Sequence, residues 1–423
     1  MTLKIAIVGA GPGGCMLARL LLESDSSINV TIFEAEASVN YRSQGGTLDL
    51  RSGTGLAAIK AAGLWDEFQK HARYDGESLL VTDKNLTTWM RRSPRKDGND
   101  GKNHLQEAPE IDRKDLRRML MESLPSDTVH WGSKLSHVEE TSFGLNLHFA
   151  NGQVHSGYDL IVGCDGAFSK TRSLLSSEKP FYVGLGGWAL DIPSAATTAP
   201  DVYKLVNRGS VFVFSDHKAL DLQQLSDGSI HVAYYGTHPE DFTRTCGFDA
   251  ANLEEAKHTL RKELADWKPE LLDAVEKVQG EAVWRNLYQL PVGFTWPHKS
   301  GITLLGDAAH LMTPFSGIGV NTAFHDAMLL SQEIVAFASS SESGTLTLDE
   351  HIKTYESKMF TAAHAGMRHT EGSMNDMLFT AGAPRTSIES WVLRHAKEEV
   401  PKWAHPLLTA IVYTGYWVYK RFV

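Results

Sequence analysis

The hydrophobic pattern at the start of the chain predicts a strand, a helix and a second strand in succession. Apolar and β-branched residues run from Lys4 to Val8, apolar residues recur at helical spacing from Met16 to Glu23, and another apolar run spans Asn29 to Phe33. Strands alternating with helices are typical of a parallel sheet. The pattern therefore predicts a βαβ unit within an α/β fold.

A glycine motif and an acidic residue follow the two strands of this unit. Gly9, Gly11 and Gly14 stand in GxGxxG spacing, and Glu34 comes twenty residues after Gly14. In dinucleotide-binding units the first glycine makes a tight turn, the second admits the pyrophosphate, the third lets helix and sheet approach, and the acid accepts the ribose hydroxyls. The sequence thus predicts FAD or NAD binding, and Glu34 would repel a 2′-phosphate.

Two later hydrophobic runs also end in glycine turns. In "YDLIVGCDGAFSKTR" a buried strand reaches Asp165-Gly166, and a helix is predicted to begin at Ser169. In "LLGDAAHLMTPFSGIGVN" a strand from Gly301 to Leu305 is followed by Asp307. Because ligands bind at the carboxyl ends of strands in α/β sheets, both turns are candidates for the cofactor site.

The second of these stretches also opens a helix. Gly317 and Gly319 precede a helical pattern from Val320 to Phe337, so free backbone N–H groups at the helix start would face an anion or an electron-rich ring. The alternative is an ordinary buried strand, glycine turn and helix.

Between these runs the pattern changes several times. Ser52 to Phe68 predicts one helix, Leu79 to Met90 predicts a strand pair, and polar Arg91 to Asn103 predicts a loop. Asp112 is placed as the N-cap of a helix that carries Arg113 and Arg117 on one face, either as ligand contacts or as a solvated charged face.

The middle of the chain has the alternation of an antiparallel sheet. Strand-like segments occur throughout Phe181 to Pro291, and one helix is predicted there, Leu253 to Trp267. Helical patterns follow from Leu348 to Met377 and from Ile388 onward. We therefore expect a discontinuous FAD-binding domain (1–78, 104–178 and 285–338), an inserted substrate-binding sheet domain (79–103 and 179–284) and a C-terminal helical segment (345–423).

Composition limits the classes of function. With 423 residues and a net charge of −10, the chain is large enough for several structural units and lacks the positive surface that a nucleic-acid partner requires. Cys15, Cys164 and Cys246 are scattered, which favours core residues in a reducing, cytoplasmic setting over a disulfide framework. His364 and His369 are five apart and no HExxH or GxSxG occurs, so no metal site or hydrolase elbow is predicted.

The C-terminal stretch is uncharged and aromatic. Leu407 to Tyr419 spans thirteen residues, fewer than the roughly 20 that cross a bilayer. Two alternatives stay open: a terminal helix docked on the body of the protein, or a weak peripheral contact with a membrane.

Three motifs occur in a diagnostic order: "GAGPGG" with Glu34, "DLIVGCDGAFSKTR" and "LLGDAAHLMTPFSGIGVN". Together they resemble the single-component FAD monooxygenases of the para-hydroxybenzoate hydroxylase type. The segments "GGTLDL", "PEIDRKDLRRML" and "GDAAHLMTPF" look most like the TetX-type tetracycline-inactivating monooxygenases and their fungal relatives. The similarity covers about Leu3 to Phe379.

The resemblance implies particular roles for residues at matching positions. Beyond the glycine motif and Glu34, it implies cofactor contacts from Arg42, Asp49, Arg113, Arg117, Asp165, Gly166, Asp307, Pro314, Gly317 and Gly319. It implies a substrate cavity formed by Lys204, His231, Phe315, Asn375 and Phe379.

The sequence also departs from the family pattern. Lys204 stands where the tetracycline enzymes carry glutamine, Ile318 replaces a glutamine between two glycines, and Ala35 replaces a common arginine. These differences imply a substrate other than tetracycline and a changed flavin environment.

The implied activity is hydroxylation or epoxidation of a polycyclic or aromatic natural product. NAD(P)H would reduce FAD, and the reduced flavin would capture O2 as a C4a-hydroperoxide that transfers one oxygen. His231 would polarise or deprotonate a substrate hydroxyl, or is only a hydrogen-bonded strand residue. A membrane-associated quinone-type hydroxylase and a non-catalytic flavin-binding redox sensor remain as alternative functions.

Overall fold

The computed structural model describes residues 2–24, 27–38, 45–74, 76, 78–92, 108–339 and 346–423. In these ranges the strands, numbered in chain order, are β1 (Leu3–Val8), β2 (Ile28–Phe33), β3 (Thr47–Asp49), β4 (Leu79–Thr82), β5 (Thr88–Arg92), β6 (Glu110–Asp112), β7 (Val129–His130), β8 (Leu135–Thr141), β9 (Gly144–Phe149), β10 (Val154–His155), β11 (Leu160–Gly163), β12 (Phe181–Ile192), β13 (Ser210–Ser215), β14 (Lys218–Gln224), β15 (Ile230–Thr237), β16 (Gln279–Gln289) and β17 (Ile302–Leu304).

The α-helices of the same ranges are α1 (Pro12–Ser24), α2 (Gly55–Ala61), α3 (Trp65–His71), α4 (Arg113–Glu122), α5 (Arg172–Leu175), α6 (Ala195–Thr198), α7 (Pro200–Val206), α8 (Phe242–Thr245), α9 (Leu253–Glu263), α10 (Pro269–Glu276), α11 (Asp307–His310), α12 (Gly319–Ala338), α13 (Leu348–Met374), α14 (Ile388–Glu399) and α15 (His405–Tyr419). A π-helical turn, Asn375–Phe379, continues α13, and a 3-10 turn, Lys402–Ala404, precedes α15.

A parallel sheet carries the predicted βαβ unit. Its order is β17-β11-β1-β2-β7, and every neighbouring pair is parallel. The interior strands are almost fully buried because α1 and α12 pack together against them, as continuous apolar runs require. The mixed α/β fold predicted from the sequence is confirmed. The first helix begins at Pro12, four residues earlier than the apolar periodicity indicated.

A second sheet of seven strands is built from the middle of the chain and the β4–β5 hairpin. Its order is β16-β12-β15-β14-β13-β4-β5, and it is antiparallel except where β13 meets β4. One face, called the outer face, carries Trp188, Leu220, Leu222 and Val232 and is covered by α7, α9 and α10. The opposite, inner face carries alternate residues of the same strands and points toward the parallel-sheet unit.

Smaller sheets complete the architecture. β10-β9-β8 is an antiparallel three-stranded sheet, and β3 pairs with β6. The β3–β6 pair joins Asp49 to Glu110 and Thr47 to Asp112, directly before α4.

Several predicted helices differ from the observed ones. The single helix expected over Ser52 to Phe68 is observed as two helices. Gly63 adopts φ +68°, which interrupts the helix between α2 and α3. The prediction of one helix within the antiparallel region is wrong. α6, α7, α8 and α10 also form there, and α9 ends at Glu263. They were missed because they are short, with eight residues or fewer.

The C-terminal stretch forms a helix with two different sides. On one side Tyr416 and Tyr419 donate hydrogen bonds to the backbone oxygens of Trp89 and Thr88, and Lys420 pairs with Glu389. On the other side large apolar residues are exposed. In the described part of the chain no helix combines the length and the apolar character needed to span a bilayer.

Candidate cofactor and substrate site

The glycine motif leaves an open space at the start of α1. A Cβ on Gly9 would lie 2.3 Å from the Cys164 carbonyl oxygen, and one on Gly14 would lie 2.2 Å from the Gly9 oxygen. A Cβ on Gly11 would meet no atom within 4 Å. Gly9 and Gly14 are thus required by packing. Gly11 instead keeps clear the volume in front of the helix N-terminus, where backbone N–H groups attract an anion.

Glu34 ties the glycine turn to the end of β2. Its carboxylate accepts hydrogen bonds from the backbone N–H of Ala10 (2.6 Å) and of Glu36 (2.8 Å). A carboxylate has lone pairs beyond these two bonds, so further donors such as ribose hydroxyls can still be accepted.

Arg117 is buried beside this turn. It forms an ion pair with Glu36, whose side chain is also buried, while its Nε lacks a hydrogen-bond partner among the described residues. Arg113, one helical turn earlier, is exposed to a cleft instead. The two arginines therefore share a helix face, as predicted, but only Arg117 lies next to the glycine turn.

Asp112 occupies the predicted N-cap position of α4 but does not cap it with its side chain. Its carboxylate accepts hydrogen bonds from the backbone N–H and the hydroxyl of Ser226. The contact joins α4 to the loop between β14 and β15, which positions Arg113 against the seven-stranded sheet.

The Asp165 carboxylate forms hydrogen bonds within its own loop. One carboxylate oxygen accepts from the Ser169 hydroxyl, and the other accepts from the backbone N–H groups of Lys170 and Thr171. Gly166 has φ +74°, and a Cβ there would meet nothing within 4 Å. The helix predicted at Ser169 begins at Arg172, since the Asp165 bonds stabilise a non-helical turn before it.

Asn321 fastens the two chain segments that carry Asp49 and Gly317. Its side-chain amide donates to the Asp49 carbonyl (2.8 Å) and accepts from the Arg51 backbone N–H (2.8 Å). A Cβ on Gly317 would lie 3.8 Å from an Asp49 carboxylate oxygen. Residues 272 positions apart in sequence are thereby held side by side.

The start of α12 is open, like the start of α1. Gly317 adopts φ +63° in a turn closed by its N–H to the Pro314 oxygen (3.0 Å), and Pro314 itself is exposed. Gly319 is the first residue of the helix, and a Cβ there would meet nothing within 4 Å. Ile318 approaches Gly366 of α13, so the departure from the family glutamine fills an apolar contact.

A buried ion pair holds the turn that presents Asp307. Asp326 of α12 accepts from His310 Nε2 (2.5 Å) and from the Gly306 backbone N–H (3.0 Å). Burial disfavours the imidazolium, but the Asp326 carboxylate outweighs it and raises the pKa of His310. α11, which begins at Asp307, is therefore anchored to α12 at its far end.

Asp307 and Arg113 lie close enough to interact electrostatically. Both side chains are exposed, yet protein surrounds them closely enough that burial raises the pKa of Asp307 and lowers the pKa of Arg113. Each group partly offsets the shift of the other, as opposite charges do. Exposure combined with such desolvation defines a recess that a ligand can enter.

The inner face of the seven-stranded sheet forms the opposite wall of this recess. His231 Nδ1 is 2.8 Å from an Asp191 carboxylate oxygen, and a Cβ on Gly45 would lie 2.9 Å from the same nitrogen. A Cβ on Gly46 would lie 3.7 Å from Arg113 Nε. The Gly45-Gly46 turn thus separates His231 from Arg113, and glycine is needed there because of this close approach.

Phe315 reaches the same wall from the cofactor side. Its ring packs edge-on against Tyr235, with centroids 5.6 Å apart. Asn375 and Phe379 are the first and last residues of the π-helical turn, and both are exposed. Met374, Met377 and Leu378 of the same segment pack on the inner face.

One predicted site residue is observed away from the others, and one falls outside the described ranges. Lys204 lies on α7, a helix rather than the predicted strand, which packs on the outer face and leaves the lysine exposed. Arg42 lies outside the described residues.

Sequence reasoning missed four polar residues of the recess and its supports. Glu36, Asp326 and Asn321 fix the segments described above, and Asp221 lies on the inner face. Asp221 gave a signal, since it is a lone acid within the alternating strand "KALDLQQ". The others are recognisable only once the helices are packed.

The residues fit a dinucleotide such as FAD. Gly11 and Gly319 clear space before two helix N-termini, Arg117 Nε is a buried donor without a partner in the described structure, and the recess beside Asp307 continues to a separate sheet. These are an anion-binding turn, a free cationic donor and a ring-sized opening in one connected region.

The fold and this site define a dinucleotide-binding oxidoreductase with an added substrate-facing sheet. Residues 2–370 match the family model described as "FAD binding domain", and the chain belongs to that family. It is accordingly an FAD-dependent monooxygenase, for which NAD(P)H and O2 are the typical co-substrates of a small-molecule substrate.

Individual relatives agree with the resemblance inferred from the motifs, which is confirmed. The chain is 30% identical over 417 residues to the monooxygenase penA of Penicillium thymicola, covering 87% of this chain and 93% of that protein. HpxO of Klebsiella pneumoniae, complexed with FAD and uric acid, superposes with a TM-score of 0.73 at 18% identity over 97% of this chain and 96% of that one. Tetracycline destructase Tet(51) superposes with a TM-score of 0.66 at 17% identity, covering 97% of this chain and 98% of that one. The structural likenesses show the fold alone.

Proposed function

We propose that this monooxygenase hydroxylates or epoxidises an aromatic or polycyclic natural product bound between the cofactor and the inner face of the seven-stranded sheet. The observation that carries the proposal is the recess in which Asp307 and Arg113 are exposed yet desolvated, opposite His231 and Tyr235. A planar substrate suits a recess bordered by aromatic rings.

In this proposal the cofactor-side residues act mainly by position. The N-terminus of α1, cleared by Gly11, binds the pyrophosphate, and Glu34 accepts the ribose hydroxyls. Arg117, held by Glu36, adds a charge-assisted donor on the same side. Asp307 and the start of α12 contact the remainder of the cofactor. Asp49, Arg113, Asp165, Gly166, Pro314 and Gly317 complete the proposed contact set.

Bound FAD would supply the redox chemistry, in which NAD(P)H is the reductant, one atom of O2 enters the substrate and the other leaves as water. The protein has two tasks, to orient the substrate and to exclude water. Phe315 and Tyr235 serve the second task because their edge-on contact closes the recess with apolar surface. Asn375 and Phe379, on the π-helical turn, are proposed to border the substrate.

His231 is proposed to act on a substrate hydroxyl. Asp191 holds its Nδ1, which directs Nε2 away from that carboxylate and leaves it to accept a proton. The arrangement makes His231 a candidate general base on the sheet side of the recess.

The domain division follows the same logic. We propose that 1–78, 104–178 and 285–338 bind FAD, that 79–103 and 179–284 bind substrate, and that 345–423 closes the recess and the outer edge of the sheet. Met377 and Leu378 support this role for the C-terminal segment, since they pack on the inner face.

A direct test is to purify the protein, record its flavin absorbance and follow NADPH oxidation with candidate aromatics, with product mass as the endpoint. A mass gain of one oxygen supports the proposal. Protein that takes up no FAD would refute it, and flavin uptake with no NADPH oxidation for any candidate would favour the redox-sensor function.

A second candidate, a membrane-associated quinone-type hydroxylase, is favoured by the exposed side of α15 and its flanks. The exposed large residues are Trp403, Leu407, Ile411, Tyr413, Trp417 and Phe422. Tryptophan and tyrosine prefer the bilayer interface. Leu407→Glu with Ile411→Glu should abolish pelleting with anionic liposomes while flavin stays bound. Equal pelleting of the variant and the parent protein excludes this candidate.

A further inference from the structure

Asp221 lies in the middle of the seven-stranded sheet, on the inner face. β14 places it opposite Phe212 of β13 and Ala233 of β15. The next inner-face pair toward one end of β14 is Gln223 with His231, and the next toward the other end is Ala219 with Tyr235. Asp221 is therefore bracketed by the His231 row and the Tyr235 row of the recess wall.

The carboxyl group of Asp221 has no internal use. Its Oδ1 is buried and has no hydrogen-bond partner in the part of the chain that is described. Most buried polar side-chain atoms in folded proteins are hydrogen-bonded, because an unpaired one costs free energy. An unpaired carboxyl in a central strand is therefore retained at the expense of stability.

The surroundings keep this carboxyl neutral. Burial raises the pKa of Asp221 to about 8. Tyr235 is the nearest titratable neighbour, and burial with the Asp221 charge raises its pKa to about 12. Arg113 and Arg285 act on Tyr235 in the opposite direction and lower its pKa, and His231 on the same face of the sheet is held by Asp191.

Several of the inner-face residues beside the carboxyl are small. Across the sheet its neighbours are Ala233 and then Ala189, and along its own strand the adjacent inner-face residues are Ala219 and Gln223. Phe212 borders the row on the β13 side. Alanine side chains on several sides of one acid, with aromatic rings beyond, are the surroundings that a flat ring with a polar edge requires.

We propose that Asp221, as a neutral carboxylic acid, is the hydrogen-bonding anchor of the substrate and selects a cis-amide edge, as in a cyclic lactam. A protonated carboxyl presents one O–H donor and one C=O acceptor side by side, and a lactam presents the complementary C=O and N–H. An ionised carboxylate presents acceptors only, so the match depends on the proton. The inference rests on the proposed function, because it assigns the polar contact of that substrate.

The test uses the FAD-loaded full chain and a matched pair of probes, isoquinolin-1(2H)-one and its N-methyl derivative. The N-methyl group removes the donor and keeps the carbonyl and the ring. Dissociation constants are read from the change in flavin absorbance. At pH 7 the parent protein should bind the lactam at least about tenfold more tightly than the N-methyl compound, the equivalent of one well-formed hydrogen bond.

Three variants sharpen the result. Asp221→Asn keeps a donor and an acceptor at every pH, so it should bind the lactam with the same affinity at pH 7 and pH 9.5. The parent protein should bind both probes about tenfold more weakly at pH 9.5, because the ionised carboxylate no longer donates to their carbonyl group. Asp221→Leu should lose the preference at both pH values. Asp201→Asn, an exposed change on α7 beyond the outer face, should match the parent protein.

Equal binding of the two probes by the parent protein, failure of the lactam to bind, or a preference that survives in Asp221→Leu would overturn the proposal. FAD content and NADPH oxidation are measured on the same samples. A flavin-loaded, NADPH-oxidising protein without probe preference defeats only this inference, whereas loss of flavin uptake in the parent protein defeats the proposed function.

Discussion

The two faces of the seven-stranded sheet share their strands but differ in almost every other respect. The outer face is a closed apolar layer in which Trp188, Leu220 and Leu222 are at most 1% exposed. The inner face carries Asp221, His231 and Tyr235 at alternate positions, with an unpaired carboxyl among them. Each strand thus serves stability with one set of residues and ligand binding with the next.

The comparison teaches that burial alone does not identify the function of a residue. Trp188 and Asp221 are both enclosed by protein, but the Trp188 indole N–H donates to the Ala250 oxygen while Asp221 Oδ1 has no partner in the described structure. A satisfied buried group stabilises the fold. An unsatisfied one requires a separate explanation, and for Asp221 Oδ1 we propose a ligand.

The largest effect is expected on the outer face. Trp188→Ala removes a ring that packs on Trp284 at 4.6 Å and on Phe242 at 5.7 Å, so the free energy of unfolding should fall by about 3–5 kcal/mol. Urea unfolding followed by circular dichroism measures it. At urea concentrations below its unfolding midpoint, the variant should bind FAD with a dissociation constant within a factor of about three of the parent value. A larger change would show that the two faces are not independent.

A smaller effect, on affinity rather than stability, is expected at the recess. Arg113→Gln removes a desolvated cation whose pKa burial already lowers. We expect FAD affinity to fall by about 10- to 100-fold, the value of a hydrogen bond to a charged group, without loss of unfolding free energy. Equilibrium dialysis measures the affinity. Arg118→Gln, an exposed change on the same helix, is the control, and equal affinities for both variants would contradict the assignment.

Asp221→Asn should change how stability depends on pH. The acid binds its proton more tightly when folded, since burial raises its pKa from 3.8 to about 8. The folded state therefore holds more protons between these values, so the free energy of unfolding falls as pH rises through that window. The variant should lack this decline and exceed the parent at pH 9 by more than the roughly 1.4 kcal/mol of one pKa unit. Thermal melts from pH 5 to 9 decide it, and parallel curves would show that Asp221 is ionised throughout.

The smallest change in stability is expected at His231. Its partner Asp191 is 55% exposed, and such pairs contribute less than about 1 kcal/mol. His231→Gln should therefore unfold within roughly that margin of the parent protein. Product formed per NADPH consumed should nevertheless fall by about 100-fold if the imidazole moves a substrate proton. If the amount of product formed per NADPH consumed does not change, His231 is only a hydrogen-bonded strand residue.

Local sequence rules predicted the parts of the site that depend on neighbouring residues. The βαβ unit, its glycines and the start of α12 follow from apolar periodicity and turn chemistry, and the structure has them within a few residues. The β4–β5 hairpin was also predicted from its alternation and polar turn.

The remainder depended on contacts between distant segments. The ion pair of Arg117 with Glu36 and the hydrogen bond of Asn321 to the Asp49 backbone oxygen form only when α4 and α12 pack on the parallel sheet. Lys204 falls within Phe181 to Pro291, which the pattern predicted to be an antiparallel sheet, but Pro200 and tertiary packing place it on a short helix on the outer face. Pairings of this kind have no signal in one sequence.

The strand order of the parallel sheet also affects how the protein is made. β1 needs β11, as Ile5 pairs with Leu160, and β11 in turn needs β17, as Ile161 pairs with Ile302. When the ribosome has just synthesised β11, the edge of β11 that later pairs with β17 has no partner strand. That edge stays unpaired until about 140 more residues are translated, which takes roughly 7–30 s at 5–20 residues per second. During that interval five of the seven strands of the second sheet, β12 to β16, are synthesised between the two. The exposed edge of β11 is therefore the part of this sheet most open to pairing with another chain before synthesis is complete.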